Sequence, residues 1–345
     1  MNYALFIIFT NLTTALWQVV ESRHNSYLNK LSVMKLLRIL ITGVILIGTG
    51  CAENKDAELV ESWKVGASTG IMGDFSQESF IQLKVAGIDY IEMGPAVFRD
   101  KSLEERIAFV ADIKEKADRA GVELWSVHLP FSRVQDISTL NDEDRENMIR
   151  ECKEIFDLWQ PMNPRKFVIH PSAEPIADEE REQRIANSIA SLKILTEEMK
   201  KYPGSSLALE NLPRTCLGNT SSELLRIVKA VGNGLEVCYD SNHMLQESPE
   251  EFVANLGSLI TTVHMSDYGY VDGRLDERHW LPGEGIINWT KVISELVDAG
   301  FEGPFLFETS MRKPDPETSE RARLSPEELV SCWHDLRFVY IESLR

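Results

Sequence analysis

The stretch LEVCYDSNH, residues 235–243, runs an apolar segment into Asp240 and, three residues later, into His243. Five residues containing Val, Cys and Tyr are too few for a helix and suit a buried strand. Asp240, Ser241 and Asn242 are ordinary turn formers. On its own the stretch reads equally as a turn or as half of a metal site. The same layout recurs along the chain. Candidate strands end near Ser68 (WKVGAS), Glu92 (DYIEMG), His128 (VELWSVH), His170 (KFVIH), Glu210 (SLALE), Asp240, His264 (ITTVH) and Glu308 (PFLFE). Segments with helical spacing follow at 76–86, 102–120, 142–159, 178–202, 221–231, 248–257, 288–299 and 325–343.

Cap signals bound several of these helices: SLEE at 102, SPEE at 248 and 325, and glycine after RA at 119–120 and DA at 298–299. Eight strand–helix units predict an α/β fold, a single-domain (β/α)8 TIM barrel over residues 64–345. An open doubly wound sheet would carry a glycine fingerprint after its first strand. GASTGIMG, residues 66–73, lacks G-x-G-x-x-G.

In such a barrel every strand delivers its last residue to one mouth. Of seven histidines, His128, His170, His243 and His264 fall at or just after strand ends, and His279 falls in the loop after the seventh strand. Glu92, Glu210, Asp240 and Glu308 end four strands. Crowding imidazoles and carboxylates together is costly unless a cation or substrate compensates. Glu210, Asp240, His264 and Glu308 end strands five to eight, which are neighbours. Three carboxylates and an imidazole suit one divalent ion, with Mn2+ favoured and Zn2+, Co2+ or Mg2+ compatible. The five cysteines show no C-x-x-C spacing, so neither a thiolate site nor a disulfide framework is indicated.

ALENLP, CYDSNH, VHMSD with the later RHWLPGEGIINW, and LFET resemble, as an ordered set, the motifs of the xylose isomerase-like TIM barrel superfamily. That group holds sugar and sugar phosphate isomerases and epimerases, inosose dehydratases and a branch of apurinic endonucleases. The resemblance covers about residues 64–345. It implies that Glu210, Asp240, His264 and Glu308 bind metal, and that Glu210 and Glu308 also move protons. It implies substrate contacts or a further metal for His243, substrate hydroxyls or further metal for His128 and His170, and a substrate contact for His279. His279 lies near a D-x-H pair of the endonucleases, but Glu277-Arg278-His279 stands here, which puts a three-metal cluster in doubt. Arg278 is a candidate substrate-binding residue.

Three readings stay open at this level. Glu92 bonds a substrate hydroxyl or lines the mouth. Trp125 and Phe131 pack on a sugar ring or in the core. Pro282-Gly283-Glu284-Gly285 presents amides to substrate or makes a tight turn. Cys216 and Cys238 read as core thiols.

The first 50 residues read as a leader. From Met34, MKLLRILITGVILIGTGC places Lys35 and Arg38 before an apolar run and small residues before Cys51, resembling a bacterial lipoprotein signal. The expectation is an acylated Cys51, a polar tether over 51–63 and a cell-envelope location. Met34 also reads as a natural start. Removing residues 1–50 shifts the formal net charge from −18 to −21. So acidic a chain disfavours nucleic acid. The expected activity is metal-dependent isomerisation or epimerisation of an unphosphorylated ketose or keto-sugar through an enediolate. A lyase or hydratase acting on 3-keto-glycosides would use the same residues. An endonuclease and a non-catalytic carbohydrate-binding lipoprotein are the readings from other classes.

Overall fold

β1 (Val65–Ser68), β2 (Ile88–Met93), β3 (Glu123–His128), β4 (Lys166–Ile169), β5 (Ser206–Glu210), β6 (Glu236–Asp240) and β7 (Ile260–His264) run parallel in chain order. After them come a hairpin, β8 (Asp267–Val271) and β9 (Arg274–Trp280), and the last barrel strand, β10 (Phe305–Phe307). β10 pairs in parallel with β1, and a bridge between Met265 and Phe307 joins it to the end of β7. The sheet therefore closes on itself.

This computed structural model of the chain describes residues 55–345 apart from 99, 100, 233 and 245. The chain divides into two units, Met1–Ala57 and Glu58–Arg345, and the barrel lies in the second. Residues 1–50 and Cys51 lie outside the described residues.

The helices are α1 (Gln77–Ala86), α2 (Leu103–Ala120), α3 (Asp142–Trp159), α4 (Arg181–Met199), α5 (Ser221–Val231), α6 (Pro249–Leu256), α7 (Trp289–Asp298) and α8 (Pro326–Ser343). Their ends follow from local chemistry. Ser102 and Glu105 form a reciprocal capping box at α2, and Ser325 and Glu328 form another at α8. Gly121 closes α2 at φ 72°, a left-handed conformation costly for any residue with a Cβ. The long helix expected over 178–202 begins as a separate 3-10 turn, Asp178–Glu180, before α4. No described helix is long and apolar enough to cross a membrane.

Strand alternation sorts side chains between two environments. Phe167, Ile169, Leu207, Leu209, Val237 and Tyr239 join the main core between sheet and helices. Val168, Ala208 and Cys238, one residue out of phase, form a separate small cluster inside the barrel. Two residues further along each of these strands stand His170, Glu210 and Asp240. The period-two rule that buries three small side chains in the interior thus delivers ionisable ones to the mouth directly above.

The tether expected over 51–63 ends early. Residues 58–62 are helical, and Val60 and Trp63 are buried. The Trp63 indole donates to the Phe301 carbonyl at 2.9 Å and stacks on Trp333.

Candidate active site

Three adjacent strands, β5 to β7, hold the floor of the site, and the backbone is clamped so that the side chains converge. The Asn211 amide grips Asp240 from both sides: its Nδ2 donates to the Asp240 carbonyl (2.9 Å) and its Oδ1 accepts the Asp240 N–H (2.8 Å). The Ser241 hydroxyl donates to the Ser266 carbonyl (2.6 Å) and accepts the Ser266 N–H (3.0 Å), locking the end of β6 to the end of β7. Asp240 Oδ1 accepts the Asn242 N–H at 2.6 Å, a turn made by the side chain itself. Asp240 Oδ2 is left with no hydrogen bond.

Ligand atoms of Glu210, Asp240, His264 and Glu308 all lie within 4.8 Å of one another. Asp240 Oδ2, His264 Nδ1 and Glu308 Oε2 are buried and without hydrogen-bond partners. His264 Nε2 stands 2.9 Å from Glu92 Oε2 and donates a proton there, which in the neutral ring leaves the lone pair on Nδ1. That lone pair faces Glu308 Oε2 at 3.1 Å. Two acceptors facing each other in a buried site are repulsive unless a proton or a metal cation sits between them. The donor set, hard carboxylates with one imidazole, therefore fits a divalent ion.

Without that ion the cluster must share protons. Burial pushes the Asp240 carboxyl well above its usual range, and the nearby charges of Glu308 and Glu210 add to this. Burial pushes Glu210 up as well, but His170, His264 and His128 outweigh it and hold the carboxyl well below the usual range. Burial opposes charge on His128 and His243. Glu210, and for His243 chiefly Asp240, nevertheless raise both to about 9. His264 is also raised, by the acids around it.

The fold is shared with known proteins. The family model described as xylose isomerase-like TIM barrel matches residues 80–329. The chain belongs to the xylose isomerase-like TIM barrel family. An uncharacterized protein of Methanocaldococcus jannaschii is 30% identical over 200 residues, 55% of this chain and 66% of that one. A probable endonuclease 4 of Natronomonas pharaonis is 25% identical over 266 residues, 71% of this chain and 91% of that one. Among solved structures, a D-tagatose 3-epimerase-like protein superposes with a TM-score of 0.66 at 23% identity, covering 82% of this chain and all of the other.

In this xylose isomerase-like barrel the remaining expected residues divide. His128, His170 and His243 reach the cluster. Their nitrogens lie 3.1, 3.3 and 3.3 Å from Glu210 carboxylate oxygens. His279 arrives from β9 at φ 50°, a left-handed backbone. Its carbonyl accepts from Thr309 (2.7 Å) and Arg321 (3.0 Å), and its ring stands edge-on to His243. Two expectations need correcting. Glu92 does not face substrate: it is 1% exposed and takes bonds from His264 and from the Ser126 hydroxyl (2.7 Å). Arg278 does not reach the site. Arg278 and Asp276, two apart on β9, share a face of the strand, and the guanidinium pairs with Asp276 at 2.8 and 3.0 Å.

The open readings also close. Trp125 bonds Thr262 (3.0 Å) and packs edge-on to Tyr90, so it fills the barrel interior. Phe131 is 48% exposed and stacks on His170 with ring centres 4.2 Å apart. The Pro282–Gly285 amides do not serve substrate: Gly283 N–H donates to buried Asp267 at 2.9 Å, and Ile286 and Ile287 follow at 3.1 and 3.2 Å. Gly285 is forced, because a Cβ there would stand 2.1 Å from the Tyr268 carbonyl oxygen. Asn211 and Asp267 were invisible as functional supports. Their only signal was a polar residue within three positions of a strand-ending acid or histidine, Asn211 one after Glu210 and Asp267 three after His264.

Proposed function

We propose that this protein is a metal-dependent isomerase or epimerase of an unphosphorylated ketose or keto-sugar. The observation that carries the reading is the convergence of Asp240 Oδ2, His264 Nδ1 and Glu308 Oε2, buried and unsatisfied, beside Glu210. Glu210, Asp240, His264 and Glu308 would hold one divalent ion. When bound, the ion withdraws electrons from a carbonyl and its neighbouring hydroxyl, making the adjacent carbon-bound proton acidic. The residues of the chain do the rest. Glu210 and Glu308 approach from β5 and from the end of β10, and the imidazoles facing them hold both carboxyls below their ordinary range, despite burial. Both are therefore ionised and able to act as bases. One takes the proton from carbon, and the other, once protonated from solvent, delivers a proton to the opposite face while the first releases its own to water. His170 and His243, partly exposed at the mouth, donate to sugar hydroxyls.

The mouth supports an uncharged substrate. The cavity above the cluster has a volume of about 360 Å3. Arg214 lines it but is neutralised: Glu174 accepts from its Nε at 3.0 Å and Glu277 pairs with its Nη1. A phosphate would compete with those two carboxylates. The D-tagatose 3-epimerase-like neighbour agrees with this class of substrate. A lyase acting on 3-keto-glycosides would share the first proton transfer. The endonuclease relative favours a second reading, in which bound hydroxide attacks phosphate. The net charge of −18 and the turning away of Arg278 oppose it.

Turnover of candidate ketoses in deuterated water tests the proposal. Deuterium should enter the carbon beside the carbonyl, and Glu308→Gln should suppress that exchange by about 10^3-fold while metal stays bound. Solvent oxygen in the product with no carbon-bound deuterium would overturn it in favour of hydrolysis. The proposed location is the cell envelope, through acylation of Cys51. Cys51→Ala should move the protein from the membrane to the soluble fraction, and unchanged fractionation would rule out that anchor.

A further inference from the structure

Two cavities, not one, open on His128 and Phe131. The first is the site cavity described above. The second, about 420 Å3, lies to the side of the barrel mouth between the loop after β2, α2 and α3. Its volume is in the range of pockets that hold small ligands. Phe131 is the wall between the two. Its ring lies flat on His170 on the side of the metal cluster and stands 5.2 Å from the His128 ring, yet 48% of the residue is exposed. An aromatic side chain left open on a short loop beside a catalytic cluster costs apolar exposure and gains no core packing.

The lining of the second cavity is mixed in a specific way. Pro95, Phe98, Pro130 and Phe131 give flat apolar surface. Arg106 and Glu151 give opposite charges that do not pair with each other. Arg106 donates through Nε to the Lys101 carbonyl (3.1 Å), and its guanidinium lies over Phe98. Glu151 accepts only from the Gln135 amide (2.9 and 3.1 Å) among the described residues. Flat apolar walls suit the C–H faces of a sugar ring, and a guanidinium with donors beyond its Nε, opposite a carboxylate, suits its hydroxyls. A purely apolar occupant would take water from both charges and offer neither a new partner.

We propose that this second cavity is a subsite for a further sugar ring. The substrate is then a two-ring keto-sugar, its reacting ring over the metal cluster and its second ring across Phe131. The proposal rests on the reading of the first cavity as a keto-sugar site, and the test separates the two.

The metal-loaded full chain is titrated, by ligand-observed NMR, with D-fructose and with isomaltulose, a glucosyl-fructose. The wild type should bind isomaltulose at least about tenfold more tightly, as expected for one aromatic contact and a hydrogen bond to a charged group. Ala96→Trp fills the second cavity from an exposed position, and Glu151→Gln removes a charge from it. Each should bring isomaltulose down to the affinity of fructose and leave fructose unchanged. Equal wild-type affinities, or equal weakening of both sugars by Ala96→Trp, would overturn the second subsite while the first reading stands. Binding of neither sugar would overturn both.

Discussion

Asp240 and Asp267 are the same residue, each at 0% exposure, and each follows the apolar run of a barrel strand. Asp267 is surrounded by donors. Its two oxygens accept from the N–H groups of Tyr268, Gly283, Ile286 and Ile287 and from the Trp289 indole, at 2.9 to 3.2 Å. Asp240 has one such bond, from Asn242, and an oxygen with none. His243 Nδ1 stands 3.3 Å from that oxygen, but it serves the Asn211 carbonyl at 3.0 Å. Burial therefore does not distinguish a structural acid from a chemical one. What distinguishes them is whether the fold has already spent the lone pairs.

The largest contrast is expected from alanine at each position. Asp240→Ala should abolish stoichiometric metal binding and lower activity by at least about 10^3-fold, the scale of a lost metal centre. Removing an acid that burial and its neighbouring carboxylates already disfavour as an ion should leave the metal-free protein at least as stable as the wild type. Asp267→Ala should do the reverse, costing roughly 3–5 kcal/mol because five donors lose their acceptor together, while the folded fraction still binds metal. Elemental analysis with thermal unfolding separates the cases. Equal loss of metal from both variants would erase the difference between the two acids.

A smaller effect sharpens it. Glu92→Gln keeps an acceptor for His264 Nε2 but removes the charge behind it. Metal affinity should fall by about 10- to 100-fold with little change in folding. An unchanged affinity would mean that Glu92 is only packing.

The smallest effect is in pH. In the metal-free protein His128 and His243 are raised from 6.5 to about 9. Groups raised on folding stabilise fully below the unfolded value, and that contribution is lost as pH rises through the folded one. The melting temperature of metal-free protein should thus decline between pH 6.5 and 9. Added divalent metal should flatten the decline, since the ion replaces the protons. A flat metal-free profile would count against buried imidazolium.

The barrel and the convergence of Glu210, Asp240, His264 and Glu308 were legible because both depend on period. A strand ending at Glu210 or Asp240 aims that side chain wherever Ala208 or Cys238 aims. The β8–β9 hairpin was not legible: VHMSDYGYVDGRLDERHW mixes charge and aromatics without clean alternation, and it read as loop. Arg278 was misplaced for that reason, since only the strand geometry of β9 sets it beside Asp276. Glu92 was misjudged because strand ends are staggered around a barrel. The last acid of β2 lies behind His264, not above it. Residues 58–62 look polar, yet Val60 and Trp63 anchor them, a contact with Phe301 and Trp333 that no local pattern announces.

The barrel closes thinly. Between β7 and β10 the backbone link rests on the Met265 N–H to Leu306 (2.8 Å) and the Glu308 N–H to Met265 (3.2 Å). His264 precedes one side of this seam, and Glu308 follows Phe307 on the other. A cation held by both side chains would cross the seam as a rivet. Catalysis and mechanical closure then share one fastening, and an ion drawn out by a chelator takes with it the stitch that keeps the cylinder shut.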